Sequence, residues 1–316
     1  MSGFDTIVIM LLLAVLMDMF LGEPRRWHPL VGFGYLANTY EKVVNHASMS
    51  SYWRFIMGVT GWLLLVLALT GLLILCIRYI ELWLGIGPWL DIVVLYLAIG
   101  FTSLKQHAYV VWQALVDNNL ALARQKVGMI VSRDTDSMDE VAIRQATIES
   151  VLENGSDAVY APIFWFVVGG APAVLIYRLS NTLDAMWGYK TPRFLLFGRF
   201  AARMDDILNW LPSRLVALTY SLCGNTRSAI HCWQTQSHQL ESPNGGIVMT
   251  AGAGALNVVL GGDAIYHGQT KAKPQFGCGA APNTQDIERS LQLIDRTLFI
   301  WCAVITMVGF MGFLWL

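Results

Sequence analysis

The chain has 316 residues, 55% of them hydrophobic and only 14% charged, with a formal net charge of -1 and a mean hydropathy of +0.50. Soluble domains carry about 25% charged residues, so this composition is that of a membrane protein, and its near-neutral balance gives no reason to expect nucleic acid as a partner. The five cysteines form no CxxC pair, which suggests neither a disulfide framework nor a zinc site.

A membrane span needs about 20 mostly apolar residues. Residues 4–21, 55–77, 89–104 and 298–316 fit that requirement. The first lacks a basic n-region and an A-x-A site, so it reads as a retained span and not a signal peptide. Two stretches are ambiguous. Residues 161–179 are apolar but interrupted by Gly169-Gly170-Ala171-Pro172, and 247–262 are short and rich in Gly and Ala. If only the four clear segments cross, 22–54 and 105–297 share one side and hold 20 of the 21 Lys and Arg. The positive-inside rule then places that side in the cytoplasm. Residues 161–179 are expected to be a broken helix or re-entrant hairpin, because a further crossing would separate the polar groups on its two flanks. The expected architecture is an all-α, polytopic inner-membrane protein. It forms one membrane-embedded domain with about four spans and a largely helical cytoplasmic catalytic part over 105–297.

Within that part, 106–117 and 120–131 read as a helical hairpin joined at Asn118-Asn119. Ser137 and Glu140 fit a capping box that opens a helix ending at Asn154-Gly155. A short helix over 200–209 stops before Pro212, and 234–282 read as loop. Ala251-Gly252-Ala253-Gly254-Ala255 suits close helix packing better than a phosphate loop, and neither GxxxxGK[ST] nor a strand-borne GxGxxG occurs.

The polar residues fall in clumps. Glu149 and Glu153 are four apart and share a helix face, with Asp157 just beyond. They suit a hard-cation site, magnesium brought with a nucleotide, and equally a solvated face or pairs with Arg133 and Arg144. Arg203, Asp205, Asp206 and Asn209 form a second helical clump that suits a magnesium-phosphate site or surface ion pairs. Asn181-Thr182-Leu183-Asp184 follows the apolar stretch, with Tyr189 and Lys190 beyond; Lys190 can hold a phosphate as a point charge. His28, after the first span, suits either a ligand or an interfacial hydrogen bond.

In chain order the series is more specific than its members. Arg133-Asp134-Thr135; Glu149-x3-Glu153-Asn154-x2-Asp157-x3-Ala161-Pro162; Gly169-Gly170-Ala171-Pro172; Asn181-Thr182-Leu183-Asp184 with Gly188-Tyr189-Lys190; Arg203-x-Asp205-Asp206-x2-Asn209-x2-Pro212-x-Arg214; and Ser242-Pro243-Asn244 together resemble the CobD/CbiB family of cobalamin biosynthesis. Gly22-Glu23-Pro24, His28-Pro29, Gly261-Gly262 and Lys273-Pro274 extend the resemblance over nearly the whole chain. Glu23, Ala158 and Ala185 depart from the family pattern. The resemblance implies adenosylcobinamide-phosphate synthase, an inner-membrane ligase. It would join adenosylcobyric acid, a corrinoid substrate, to (R)-1-aminopropan-2-ol or its O-phosphate through an amide bond with ATP and Mg2+. Later cobalamin-assembly enzymes and the lipid bilayer would be its other partners.

Residue roles are assigned from chemistry, because amide formation calls for metal, phosphate-binding cations and positioning. Glu149, Glu153, Asp157, Asp184, Lys190, Arg203 and Asp206 are the catalytic candidates. Arg133, Asp134, Thr135, Asn154, Asn181, Thr182, Tyr189, Arg214, Asn244 and Lys273 are the substrate- and phosphate-binding candidates. Glu153, Asp157, Asp205, Asp206 and Asn209 are the metal candidates. Two alternatives from other classes are a non-catalytic membrane sensor related to the family and a transporter.

Overall fold

The computed structural model of the chain describes residues 3–24, 28–266 and 268–314, with side chains over 6–311 of these. The last two residues of the segment read at 298–316 lie outside them. The helices in chain order are α1 (Gly3–Leu21), α2 (Pro29–Val44), α3 (Ser51–Trp62), α4 (Leu69–Leu84), α5 (Gly87–Ala98), α6 (Phe101–Val116), α7 (Leu120–Val127), α8 (Glu140–Gly155), α9 (Ala161–Trp187), α10 (Arg199–Cys223), α11 (Thr226–Gln236), α12 (Gly245–Leu256) and α13 (Thr284–Leu314). π-helical turns at Leu63–Ala68 and Ser156–Tyr160 join α3 to α4 and α8 to α9. Four short strands follow α12: β1 (Val259–Gly261), β2 (Ala264–Tyr266), β3 (Gln269–Lys271) and β4 (Gln275–Gly277). β1 pairs with β4 and β2 with β3, both antiparallel. The protein is therefore all-α in class, with sheet among the described residues confined to two small ribbons.

Among the described residues, four helical stretches are long and apolar enough to cross a membrane: Ser51–Leu84, Gly87–Val116, Glu140–Trp187 and Thr284–Met311. They take in the segments read at 55–77 and 89–104 and most of 298–316. The remaining long helix contains 161–179, whereas 4–21 coincides with α1, a shorter apolar helix.

The chain divides into two compact units. Unit one comprises Met1–Gly100, Ala161–Asn209 and Thr306–Leu316; unit two comprises Phe101–Tyr160 and Trp210–Ile305. The core of unit one gathers Phe33, Trp62, Leu183, Trp187 and Phe197, all buried. The rings of Trp187 and Phe197 meet edge to face with centroids 4.8 Å apart, a geometry their quadrupoles favour. Trp62 has a polar Nε1–H to satisfy in this core, and it donates to Ser180 Oγ at 3.1 Å.

The helix break expected near 161–179 is present in α9. Gly169 (φ -148°, ψ 20°) and Gly170 (φ 62°, ψ -155°) leave helical geometry, and Pro172 then sits in the first turn of the second half, where no N–H is required. Trp165 Nε1 donates to Leu208 O at 3.1 Å, and Tyr177 Oη donates to Asn209 Oδ1 at 3.0 Å. A straight helix would set these two donors about 18 Å apart along its axis, yet they end on consecutive residues of α10. The break folds the two halves toward one another around that point.

Two local readings are corrected. The helix over 200–209 does not stop before Pro212 but continues as α10 to Cys223. Proline removes the N–H that would bond the carbonyl four residues back, and here that carbonyl, Leu208 O, is satisfied by the Trp165 indole. The cap of α8 is Asp139, whose side chain accepts from Ala142 N at 2.8 Å. Ser137 does not cap it, and Glu140 pairs with Arg144 instead of closing a capping box. The α-helical geometry does end at Asn154-Gly155 as read, but the chain is not released there and runs on through the π-helical turn into α9. A Cβ at Gly155 would lie 2.6 Å from Ile294 Cδ1 and 2.8 Å from Tyr220 Oη, so the glycine is a close-packing position in unit two.

Elsewhere in unit two the α6–α7 hairpin turns at Asn118 (φ 54°), where Asn tolerates the left-handed region, and Asn119 caps α7. Part of the stretch read as loop over 234–282 is a helix, α12, every residue of which is buried. A Cβ at Gly254 would lie 2.7 Å from Ala229 Cα, and one at Gly252 would overlap Leu152. The Ala-Gly run is therefore the packing face against α8 and α11. The 12-residue α12 is too short to cross a bilayer.

Candidate functional site

The polar residues singled out in the sequence collect into two clusters, one in each unit. In unit one, α9 and the start of α10 carry Asn181, Asp205 and Asn209. Asp205 and Asn209 are one turn apart on α10, so their side chains stack. Asn209 Nδ2 donates to both oxygens of Asp205 at 3.1 Å, and Asn181 Nδ2 donates to Asp205 Oδ1 at 3.2 Å. Asn209 Oδ1 in turn accepts from Tyr177. Asp205 is thus buried among amides, with the Arg178 charge acting on it from beyond Asn181. Burial pushes its carboxyl up to about 6, the Asn181 and Asn209 hydrogen bonds pull it down, and the charge of Asp206 pushes it up again.

Asp206, next in sequence, faces another way and is more accessible. Arg203 Nη1, itself 71% exposed, lies 3.8 Å from its carboxylate. Burial raises the Asp206 pKa while Arg203 and Lys190 lower it, which places Lys190 in its electrostatic neighbourhood. Asp184 packs its Oδ1 against Gly188, where any Cβ would overlap it. Thr182 Oγ1 donates to Arg178 O at 2.8 Å, a within-helix bond, and Tyr189 is exposed.

In unit two, Arg133 and Glu149 form a buried ion pair, and the second oxygen of Glu149 accepts from Gly261 N at 2.8 Å. Burial works against the Arg133 charge, but Glu149, Tyr266 and Glu153 outweigh it and raise the Arg133 pKa. Glu153, one turn after Glu149, reaches the start of α12: a Cβ at Gly245 would lie 2.5 Å from Glu153 Oε1. Asp134 pins the β2–β3 ribbon, its Oδ2 accepting from Gly268 N at 2.7 Å and its own N–H donating to Ile265 O at 2.8 Å. Lys273 Nζ donates to Tyr266 Oη at 2.6 Å. Arg214 stacks over Trp210 at 4.3 Å and donates to Trp210 O and to Asn244 Oδ1. Asn154 bonds back to Ser150, Thr135 packs beside Gly128, and Asp157 lies in the π-helical turn within electrostatic reach of Tyr220.

A model of the CobD/Cbib protein family matches residues 11–294. The chain belongs to the CobD/CbiB family. Proteins named cobalamin biosynthesis protein CobD from Stutzerimonas stutzeri and Chromobacterium violaceum are 53% and 51% identical to it, over 94% and 92% of this chain and 96% and 93% of their own. One of the same name from Halalkalibacterium halodurans is 36% identical over 98% of both chains. No solved structure matches.

Several of the candidate residues in this CobD/CbiB chain already have protein partners. Glu149 is committed to Arg133 and the Gly261 amide, which is the plain ion-pair alternative already open in the sequence. Arg214 is engaged with Trp210 and Asn244. The five metal candidates divide between the units, with Glu153 and Asp157 in one and Asp205, Asp206 and Asn209 in the other. Among the described residues no three His, Cys, Asp or Glu side chains converge as a cation cage. Asn209 turns its N–H groups to Asp205 and its oxygen to Tyr177, so it fits the role of a prop for Asp205. A magnesium that arrives with a nucleotide needs only one or two carboxylates, and Asp206 beside Lys190 and Arg203 fits that smaller requirement.

Sequence reasoning missed Glu41. It is buried and takes a bidentate pair from Arg193 at 2.8 and 2.7 Å, with Asn45 Nδ2 at 2.7 Å. The two partners lie 152 residues apart, and no spacing rule connects them.

Proposed function

We propose that this protein is a membrane enzyme of cobalamin biosynthesis, an adenosylcobinamide-phosphate synthase. It would join adenosylcobyric acid to (R)-1-aminopropan-2-ol or its O-phosphate in an ATP-dependent amide ligation. The carrying observation is the Asp206–Arg203–Lys190 neighbourhood beside the amide-clamped Asp205, in a chain of the CobD/CbiB family. In the proposed reaction the corrinoid carboxylate attacks the γ-phosphorus of ATP and releases ADP. The amine then attacks the acyl carbon, the C–O bond to phosphate breaks, and the amine proton passes to a base. Lys190 and Arg203 supply positive charge where phosphate oxygens gather charge in transfer. Asp206 would hold the Mg2+ that travels with ATP, whose chemistry is to neutralise those oxygens. Asp205, Asn181 and Asn209 fix the α9–α10 geometry around that point. The positive-inside count favours the inner membrane with this polar part facing the cytoplasm.

The test is a mass-spectrometric assay on the purified protein in detergent with adenosylcobyric acid, Mg-ATP and either amine. A product of acid plus amine minus water that requires ATP is expected. A folded sample that yields no product with either amine would count against the ligase.

A further inference from the structure

Unit one contains a cavity of about 390 Å³ bounded by α2, α4, α5 and α9. Its wall is hydrocarbon. Leu69, Leu73 and Ile77 form an i, i+4, i+8 stripe on α4, faced by Leu97 and Leu175. Two polar side chains reach it, His28 and Arg178. His28 is accounted for, since its Nδ1 accepts from Leu30 N at the start of α2 and its Nε2 lies 3.6 Å from Glu23. Arg178 is not. Its Nη1 donates to the neutral oxygen of Asn181 at 3.2 Å, and its Nε is buried without a partner. Among the described residues no carboxylate forms an ion pair with it. Asp205 lies beyond Asn181, bonds to that amide, and compensates the Arg178 charge only from a distance and not by contact. An arginine in a helix apolar enough to cross a membrane is costly unless an anion compensates it.

We propose that this cavity binds an anionic membrane lipid, with an aliphatic chain along the α4 stripe and its headgroup phosphate on Arg178. The guanidinium fork matches phosphate geometry. The volume falls in the range of about 300–1,000 Å³ typical of small-molecule sites. Three of the four bounding helices belong to stretches long enough to span, so the cavity wall is one that acyl chains can meet. A corrinoid rich in amides would leave those amides unpaired against this wall. Asn181 bonds both Arg178 and Asp205, so the headgroup would sit one amide away from the polar cluster of this unit.

The test uses full-length protein exchanged into lipid-free detergent. It is titrated with phosphatidylglycerol, with phosphatidylcholine of the same chains, or with inorganic phosphate, and read by native mass spectrometry. Phosphatidylglycerol should bind about tenfold more tightly than phosphatidylcholine, and inorganic phosphate should not displace it. Arg178→Gln should lower phosphatidylglycerol to the phosphatidylcholine level, Arg178→Lys should keep the preference, and Leu73→Trp should lose both lipids. Equal binding of the two lipids by the parent, or an unchanged preference in Arg178→Gln, would overturn the proposal. Displacement by inorganic phosphate would likewise overturn it in favour of a free-phosphate site. If Arg178→Gln fails to fold, the Leu73→Trp protein decides: retention of phosphatidylglycerol there excludes the cavity as the site.

Discussion

Adjacent aspartates, Asp205 and Asp206, occupy opposite environments on one helix. Asp205 is enclosed by Asn181 and Asn209, and its folded pKa of about 6 lies above the ordinary 3.8. A raised carboxyl pKa means that the folded state holds its proton more tightly. This stabilising contribution is complete below about pH 3.8 and is lost as pH rises through about 6. Asp205→Asn copies the protonated form and keeps Oδ1, which accepts from both amides. Thermal melts in detergent should show the parent losing stability between about pH 4 and 7 while the variant stays flat, with the variant ahead by up to ~3 kcal/mol at neutral pH. A parent that gains stability over that range would contradict the assignment. Asp206 is the other case. It is half-buried beside Arg203 and Lys190, so Asp206→Asn should leave the melting temperature nearly unchanged. Ligation should fall by ~10²-fold or more, the scale on which one electrostatic contact to a transition state acts. Wild-type turnover in that variant would remove Asp206 from the phosphate site.

Elements are where the sequence was least legible, and the reasons are tertiary. The Asn118-Asn119 turn and the Gly169-Gly170 break could be read because only a few residue types tolerate those backbone angles. The helix running through Pro212 could not, because the partner that makes it tolerable, Trp165, lies 43 residues away from Leu208 in sequence. Glycine is an ambiguous signal. Gly155 marks close packing as well as the α8 end read there, and the Gly- and Ala-rich α12 is a buried helix where loop was expected. Glu149 and Glu153 looked equivalent by spacing. Their difference is set by Gly261 and Gly245, from segments about a hundred residues on. The proline account makes a quantitative expectation. Trp165→Phe leaves Leu208 O without its donor and should cost ~1–3 kcal/mol. Pro212→Ala restores an N–H at the required position, so combined with Trp165→Phe it should recover most of that loss. Additive effects across the four proteins, measured by denaturation in detergent, would show that the two positions do not share the carbonyl.

For the whole molecule, charge and the fold of α9 bear on the same question. If α9 crossed the bilayer as a straight span, the polar residues before it and those after it would lie in different compartments. Its break at Gly169-Gly170 and the convergence of Trp165 and Tyr177 on Leu208 and Asn209 instead fold its two halves toward one another, the geometry expected of a re-entrant hairpin. The charge count agrees, since 20 of 21 Lys and Arg fall in 22–54 and 105–297, and a cytoplasmic location satisfies the positive-inside rule. Single cysteines at Ser137 and Thr191, both exposed, test this in a background where the five native cysteines are replaced. In intact cells neither should react with a membrane-impermeant maleimide, and both should react once the inner membrane is opened. Labelling of Thr191→Cys alone in intact cells would make α9 a true crossing and separate the Asp184–Lys190 residues from the cytoplasm. Labelling of both would invert the protein and place the proposed ATP-dependent ligation in a compartment that lacks ATP. Protection of both is the one outcome in which the Asp206 neighbourhood, the charge asymmetry and the broken helix are all consistent with polar groups of each unit facing the cytoplasm.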